Sequence, residues 1–387
     1  MKPKIVFITK SLCYHQVGIA DKLYSNFGDD FAFIQMREPL PFRVENKQEG
    51  FKRDYLMGYS KDDASREKCI DALNNAKVII WGEASLKILK NIKNDVIILK
   101  YSERIFKKGF YKSNFIHYLL NCINLLRLKS FLHNKNSYLL SAGAYSSSDY
   151  NRFGLFKGRS LRWGYFPLFD NKEKNIKRNN KAIKLIWVNR LLKWKHPEFA
   201  IYAAEILKKN AIDFSLDIVG DGDLRSGEMK QKIAKMISKH HLSDSVHMLG
   251  KVEPKKVLDL YKDADVALFT SGPAEGWGVG LSEAMNSGCL SISSDKMGST
   301  KYLINDGKNG FIYKFNNKTS FVNVVLNVCS NVSSLNEVRK NAISTIDNIW
   351  SCEEATERLS NIIEQLLSNG VILKYPDDGP CSLIRGK

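Results

Sequence analysis

Apolar and polar positions alternate in blocks along the chain. Short apolar runs come first, at "KIVFIT" (4–9), "FAFIQM" (31–36), "KVIIW" (77–81), "DVIILK" (95–100) and "SYLLS" (137–141). Runs of this length, rich in Ile, Val and Phe, predict strands buried on both faces. Between them lie segments with helical spacing, such as "IADKLYSNFG" (19–28) and "ASREKCIDALNNA" (64–76). Strands alternating with helices predict a parallel sheet covered on both sides. A polar stretch without periodicity, "NKEKNIKRNNK" (171–181), then reads as a linker. The alternation restarts at "AIKLIWV" (182–188), "FSLDIVG" (214–220), "SVHMLG" (245–250), "DVALFT" (265–270) and "CLSISS" (289–294), with helical segments at 196–210 and 253–264.

A chain of 387 residues is long for one core. The expected fold is therefore α/β, with two Rossmann-like, doubly wound parallel-sheet domains at 1–170 and 182–351. Each turns the C-terminal ends of its strands toward a shared interdomain cleft. An amphipathic helix over 352–368 follows, a candidate to cross back to the N-terminal domain, and the chain ends in a tail.

Charge changes the picture. The chain carries 59 Lys+Arg against 41 Asp+Glu, a net +18. Such a bias fits an anionic partner or simply a solvated surface. The sequence holds no zinc-finger spacing, RNA-recognition strand signature or basic-aromatic repeat, so no nucleic-acid partner is expected. Seven cysteines without a C-x-x-C pair argue against a disulfide framework or a zinc ribbon. No apolar run approaches the ~20 residues of a spanning helix. The expected location is cytoplasmic, with one candidate for peripheral contact at the inner face of the plasma membrane. From Arg104 to Ser148 there is no acidic residue, while Arg104, Lys107, Lys108, Lys112, Arg127, Lys129 and Lys135 are basic. Phe115, Leu119, Leu120, Ile123, Leu126 and Leu132 punctuate the helical part of this segment. Residues 104–135 thus read as a basic amphipathic element suited to an anionic leaflet, or as a domain helix with solvated charges.

The richest chemistry lies in "EGWGVGLSEAMNSG" (275–288). Glycines 276, 278 and 280 let a backbone approach a ligand closely, and the loop opens a helix whose free N–H groups favour phosphate. Ser282 or the loop itself is expected to cap that helix, with Gly288 ending it. Glu275 and Glu283 would repel phosphate, so their natural partners are hydroxyls. Hydroxyls at both ends with phosphate between them describe a nucleotide sugar. Arg190 and Lys195, in "WVNRLLKWKHPE" just past a strand end, supply the cations for the diphosphate. "DGD" (221–223) and "DAD" (263–265) read as a turn and a helix end, so no metal and no cofactor is expected.

"EGWGVGLSEAMNSG" resembles the signature of the retaining, GT-B-type glycosyltransferases of family 4, in which seven residues separate two glutamates. "VNRLLKWKHPEFAI", "LDIVGDGDL", "HMLGKV", "DADVALFTS" and "YLINDGKNGFIY" resemble the family's neighbouring segments in register over roughly 183–315. "SAGAYSSSDYNRFG…RWGYFP" (141–167) is similar to members that build bacterial surface polysaccharide (O-antigen, capsule or exopolysaccharide). The resemblance implies a GT-B fold and retained anomeric configuration. It implies that Arg190 and Lys195 bind the donor diphosphate of a UDP- or GDP-sugar, Glu283 the ribose and Glu275 the transferred sugar. The amides of Trp277, Gly278 and Val279 would meet phosphate or sugar. Gly250, Lys251 and Val252 would line the base pocket, with Gly220 in the glycine turn. A glycan or a lipid-diphosphate-linked molecule is the implied acceptor.

Family members often carry a paired-glycine loop after the first strand. Here "TKSLCYHQVG" (9–18) has only Gly18, with Tyr14 and His15 in the expected loop. His15 is a candidate for hydrogen bonding to sugar or acceptor at the mouth of the cleft. A nucleotide-sugar epimerase shares the two-domain plan but not this Arg…Lys and paired-glutamate set. A nicotinamide-dependent oxidoreductase would need G-x-G-x-x-G after the first strand, and "TKSLCYHQVG" lacks it.

Overall fold

Thirteen strands are described, and all pair in parallel. The structure is a computed structural model that describes residues 2–45, 47–107, 115–169, 182–222 and 227–385. The expected linker at 171–181 lies outside them. Contacts divide the chain into one unit of Met1–Leu168 with Ile349–Lys387, and another of Phe169–Asn348.

The first unit is built on β1 (Ile5–Thr9), β2 (Phe31–Gln35), β3 (Leu56–Gly58), β4 (Val78–Trp81), β5 (Ile97–Ser102), β6 (Ser137–Ala142) and β7 (Ser160–Trp163). Their order in the sheet is β3-β2-β1-β4-β5-β6-β7. The order reverses between β1 and β4, where ligands bind in doubly wound sheets. β1 and β2 are buried at every position because helices cover both faces. The apolar pattern located five of these strands. β3 and β7 escape it, since "LMG" and "SLRW" are too short and mixed to carry a period.

Helix Tyr14–Phe27 begins five residues before its apolar pattern, because the Cys13 carbonyl accepts from the amides of Gln16 and Val17. Tyr14 and His15 therefore stand on a first helical turn, and the loop expected there is absent. Gly18 lies inside this helix, against Leu168 and Cys352. Helix Cys352–Asn369 packs on it, with Asn26 donating to Ser360 at 2.9 Å and Lys22 paired with Glu353.

The second unit is built on β8 (Ile183–Val188), β9 (Phe214–Val219), β10 (Val246–Gly250), β11 (Val266–Phe269), β12 (Leu290–Ser294) and β13 (Phe311–Tyr313). Their order is β10-β9-β8-β11-β12-β13, with the reversal between β8 and β11. β13, three residues long, is the strand here that periodicity did not flag. Fully buried Arg339 donates to the carbonyls of Asp265 and Gly288 at 3.0 Å. It thereby fixes the start of β11 and the end of helix Gly280–Asn286 to helix Asn336–Asn348.

Candidate functional site

At the reversal point of the second sheet, the chain leaves β8 toward Arg190 and Lys195 and leaves β11 toward Glu275. Lys195 and Glu275 form an ion pair with side chains 8% and 16% exposed. The Lys195 ammonium also lies 4.2 Å from the Trp194 ring centroid. Its backbone is fixed from below. The buried Trp187 indole donates to the Thr270 hydroxyl at 2.7 Å, and that hydroxyl donates to the Lys195 carbonyl at 2.7 Å. Two segments far apart in sequence, 187–195 and 270–275, thus set one lysine. Arg190 is exposed, and no ion pair involves it among the described residues.

Gly220 follows β9 and explains how the Arg190 segment sits. A Cβ there would stand 1.8 Å from the Asn189 carbonyl oxygen, and φ is +127°. Only glycine allows that approach. The Gly220 amide donates to the Gly250 carbonyl at 2.7 Å, so Gly220 and Gly250 share one corner. Lys251 is exposed and Val252 half-buried beyond it.

The 275–283 loop differs from its sequence reading in three respects. Gly278 faces protein, since a Cβ there would meet the Met297 sulfur at 2.8 Å. Ser282 does not cap the helix N-terminus; its hydroxyl donates backward to the Val279 carbonyl at 2.8 Å. Helix Gly280–Asn286 has seven residues, too short for a large macrodipole. Trp277 is buried, and its carbonyl accepts from the Ser299 amide at 3.1 Å. Val279 and Gly278 stay half-buried. Glu283 sits on the first helical turn near Tyr261; burial, and then the Glu283 charge, raise that phenol well above its usual range.

His15 belongs to the first unit. It lines a cavity of about 640 Å³ at the ends of β1, β4 and β5, together with Lys10, Arg43, Glu83, Lys100 and Tyr165. Its ring stacks on Tyr165 at 4.2 Å. The Cys13 thiol donates to Gln16 at 3.1 Å and lies 3.2 Å from His15 Nε2. With the thiol proton given to Gln16, Nε2 must be the N–H and Nδ1 the lone pair. Nδ1 is buried and has no partner among the described residues. Burial, and then the Arg43 charge, lower the His15 pKa to about 4, so the ring is a neutral acceptor. The Arg43 and Arg37 guanidiniums are themselves held by buried Glu49 at 2.9 Å.

Residues 169–345 match the family model of glycosyl transferases group 1. Among curated relatives, "Uncharacterized glycosyltransferase MJ1069" of Methanocaldococcus jannaschii is 24% identical over 288 residues, 74% of this chain and 67% of that one. The "UDP-N-acetylglucosamine--peptide N-acetylglucosaminyltransferase GtfA subunit" of Limosilactobacillus reuteri subsp. suis is 28% identical over 139 residues, 36% of this chain. The chain spans only 25% of that relative's length. Among solved structures, Anabaena Alr3699/HepE in complex with UDP superposes with a TM-score of 0.69 at 13% identity, covering 94% of this chain and all of that one. At that identity the likeness shows the fold, two Rossmann-like α/β units of the GT-B class.

The group 1 match takes in Arg190, Lys195, Gly220, Gly250, Glu275 and Glu283, and leaves His15 outside it. Sequence reasoning missed Trp187 and Thr270. Their signal was slight: an indole near the end of one strand, and a hydroxyl just past the end of another. It also missed Lys100, whose place at the end of "DVIILK" puts its ammonium at the β4–β5 strand ends. No group of three His, Cys, Asp or Glu able to hold a metal occurs among the described residues.

Proposed function

We propose that the chain is a retaining glycosyltransferase working without a metal ion. It moves a hexosyl-type sugar from a UDP- or GDP-sugar to a glycan or lipid-diphosphate-linked acceptor in bacterial surface polysaccharide assembly. The observation that carries this reading is the Lys195–Glu275 pair at the β8/β11 reversal, with Arg190 exposed on the segment leading to Lys195 and in no ion pair among the described residues. A cation already set on buried hydrogen bonds needs little reorganisation as charge develops on a leaving diphosphate. Donor diphosphate binds Lys195 and Arg190, which frees Glu275 to accept from the sugar's hydroxyls. Glu283 accepts from the ribose, and the 250–252 corner holds the base. The bond from the anomeric carbon to the phosphate oxygen breaks as the acceptor oxygen bonds to the same face. The acceptor's proton passes to the departing phosphate.

Uridine is favoured as the base, because the GtfA relative is named for UDP-N-acetylglucosamine and the HepE structure holds UDP. The first unit serves the acceptor, with His15 Nδ1 accepting from one of its hydroxyls. The protein works at the inner face of the plasma membrane, touching it through 104–135, of which 108–114 lie outside the described residues. A thermal-shift screen of nucleotide sugars, followed by NMR of the product's anomeric configuration, tests the reading. One UDP- or GDP-sugar should raise the melting temperature by mass action, and the product should keep the donor's configuration. An inverted product, or a panel in which nothing binds, removes the assignment.

A further inference from the structure

Helix Phe115–Leu132 has two opposed faces. Leu125, Leu128 and Leu132 are buried in the core, while Phe115, Ile116, Leu119, Leu120, Ile123 and Leu126 are 36–73% exposed. At about 100° per residue the exposed set falls within one stripe about 140° wide, opposite the buried one. Arg127 stands at the edge of that stripe. Beside it opens a second cavity, of about 840 Å³, lined by Lys87, Lys90, Lys100, Arg127, Asn121 and Asn124 among others, with no carboxylate in its lining. No ion pair involves Lys87, Lys90, Lys100 or Arg127 among the described residues. The Lys100 ammonium donates to the Gly82 carbonyl at 2.7 Å and lies 4.2 Å from the Trp81 ring centroid. Its other two N–H groups have no acceptor among the described residues.

We propose that this cavity binds the phosphate of an anionic membrane lipid while the exposed stripe of the helix enters the bilayer surface. The exposed cations Lys87, Lys90 and Arg127 around one cavity repel one another, and an oxyanion removes that cost while accepting from Lys100. The apolar stripe alongside selects a phosphate carried on acyl chains over one free in solution. Burial lowers the Lys100 pKa to about 7, so an arriving phosphate draws a proton onto it. The inference rests on the membrane contact proposed above and gives it a ligand and a site.

The test uses the full chain, sedimented with phosphatidylcholine vesicles with and without phosphatidylglycerol. It also measures binding of dihexanoylphosphatidylglycerol below its micelle concentration. Wild type should bind the phosphatidylglycerol vesicles and the short-chain lipid. Lys87→Gln/Lys90→Gln/Arg127→Gln should lose about 100-fold in vesicle affinity, from three charges near an anionic surface, and should not bind the short-chain lipid. All three residues are exposed, and an unchanged melting temperature checks that the variant is folded. Inorganic phosphate at matched ionic strength should not displace the protein from vesicles. The cavity assignment is overturned if the triple variant sediments like wild type, or if inorganic phosphate competes as well as the lipid does. Leu120→Asp separates the two ideas. If it abolishes sedimentation while the triple variant does not, the membrane contact stands and the cavity falls. If wild type ignores every vesicle, both fall.

Discussion

Lys195 and Glu275, eighty residues apart in sequence, meet as an ion pair that is mostly withdrawn from water. Each follows a central strand of the second sheet, and the reversal between β8 and β11 puts those strand ends side by side. Removing one member of such a pair leaves the other charge buried, at a cost of about 3–5 kcal/mol. Glu275→Gln and Lys195→Ala should each lower the melting temperature, and Lys195→Met/Glu275→Leu should recover most of the loss. Turnover should not recover in the double variant. Single variants that melt like wild type would show that the pair adds nothing to the fold.

Arg190 offers the contrast. It is exposed, so Arg190→Ala should change stability by less than about 0.5 kcal/mol. If it nonetheless holds the leaving diphosphate, turnover at saturating donor should fall about 10²–10³-fold. Comparing the melting temperatures and rates of the Arg190 and Lys195 variants separates a purely chemical role from a mixed one. Near-normal turnover in Arg190→Ala discards the two-cation clamp.

Thr270 touches no proposed substrate group and is a positioning residue. Its hydroxyl accepts from Trp187 and donates to the Lys195 carbonyl. Thr270→Val keeps the shape but strands both partners in the interior. Displacing Lys195 by even an ångström should cost roughly 10–100-fold in turnover. Thr270→Ser, which keeps the hydroxyl, should restore most of it. Equal rates in the Val and Ser variants would make the hydroxyl irrelevant to Lys195.

Much of this arrangement was legible because it depends on strand order and on residues just past strand ends. β1, β2, β4, β5 and β6 announced themselves as apolar runs, and so did β8 to β12. The three-residue strands "LMG" and "FIY" did not, being too short for a period to emerge, nor did "SLRW", whose polar Ser160 and Arg162 break the apolar run. Arg190, Lys195 and Glu275 were singled out through chemistry at strand ends, but the Lys195–Glu275 pairing is tertiary and left no trace in spacing. Gly220 was assigned to a ligand turn, and the structure adds a second demand on it, the Asn189 carbonyl. His15 was misplaced in a loop because polar "YHQ" hides the first turn of a helix whose start depends on the Cys13 backbone.

Metal dependence can be tested against the carboxylates themselves. Among the described residues, Asp221 is paired with Lys230, and Asp265 with Arg339, so neither of these two carboxylates is a free ligand. Dialysis against EDTA should leave the rate of sugar transfer unchanged. Loss of transfer, restored by Mg²⁺ or Mn²⁺, would overturn the metal-independent mechanism.

His15 gives the chain a stability signature in acid. Its ring is packed against Tyr165 and Tyr14 and faces Cys13 and the Arg43 guanidinium. Burial first, and that positive charge second, lower its pKa from 6.5 to about 4. In the unfolded chain the ring takes its proton near pH 6.5; in the fold it resists until about pH 4. Between those values the unfolded state binds more protons, so stability falls as pH falls. The full contribution is present above pH 6.5 and gone below pH 4, about 3 kcal/mol at most at the usual conversion of pKa to free energy. His15→Gln cannot titrate, so the difference between wild type and variant isolates the histidine from every carboxylate that protonates in the same range. Urea unfolding of both proteins from pH 7 to pH 4 should show wild type losing stability faster by that amount. Parallel curves would mean that the ring is open to water and protonates freely, and the neutral acceptor assigned to Nδ1 would go with it.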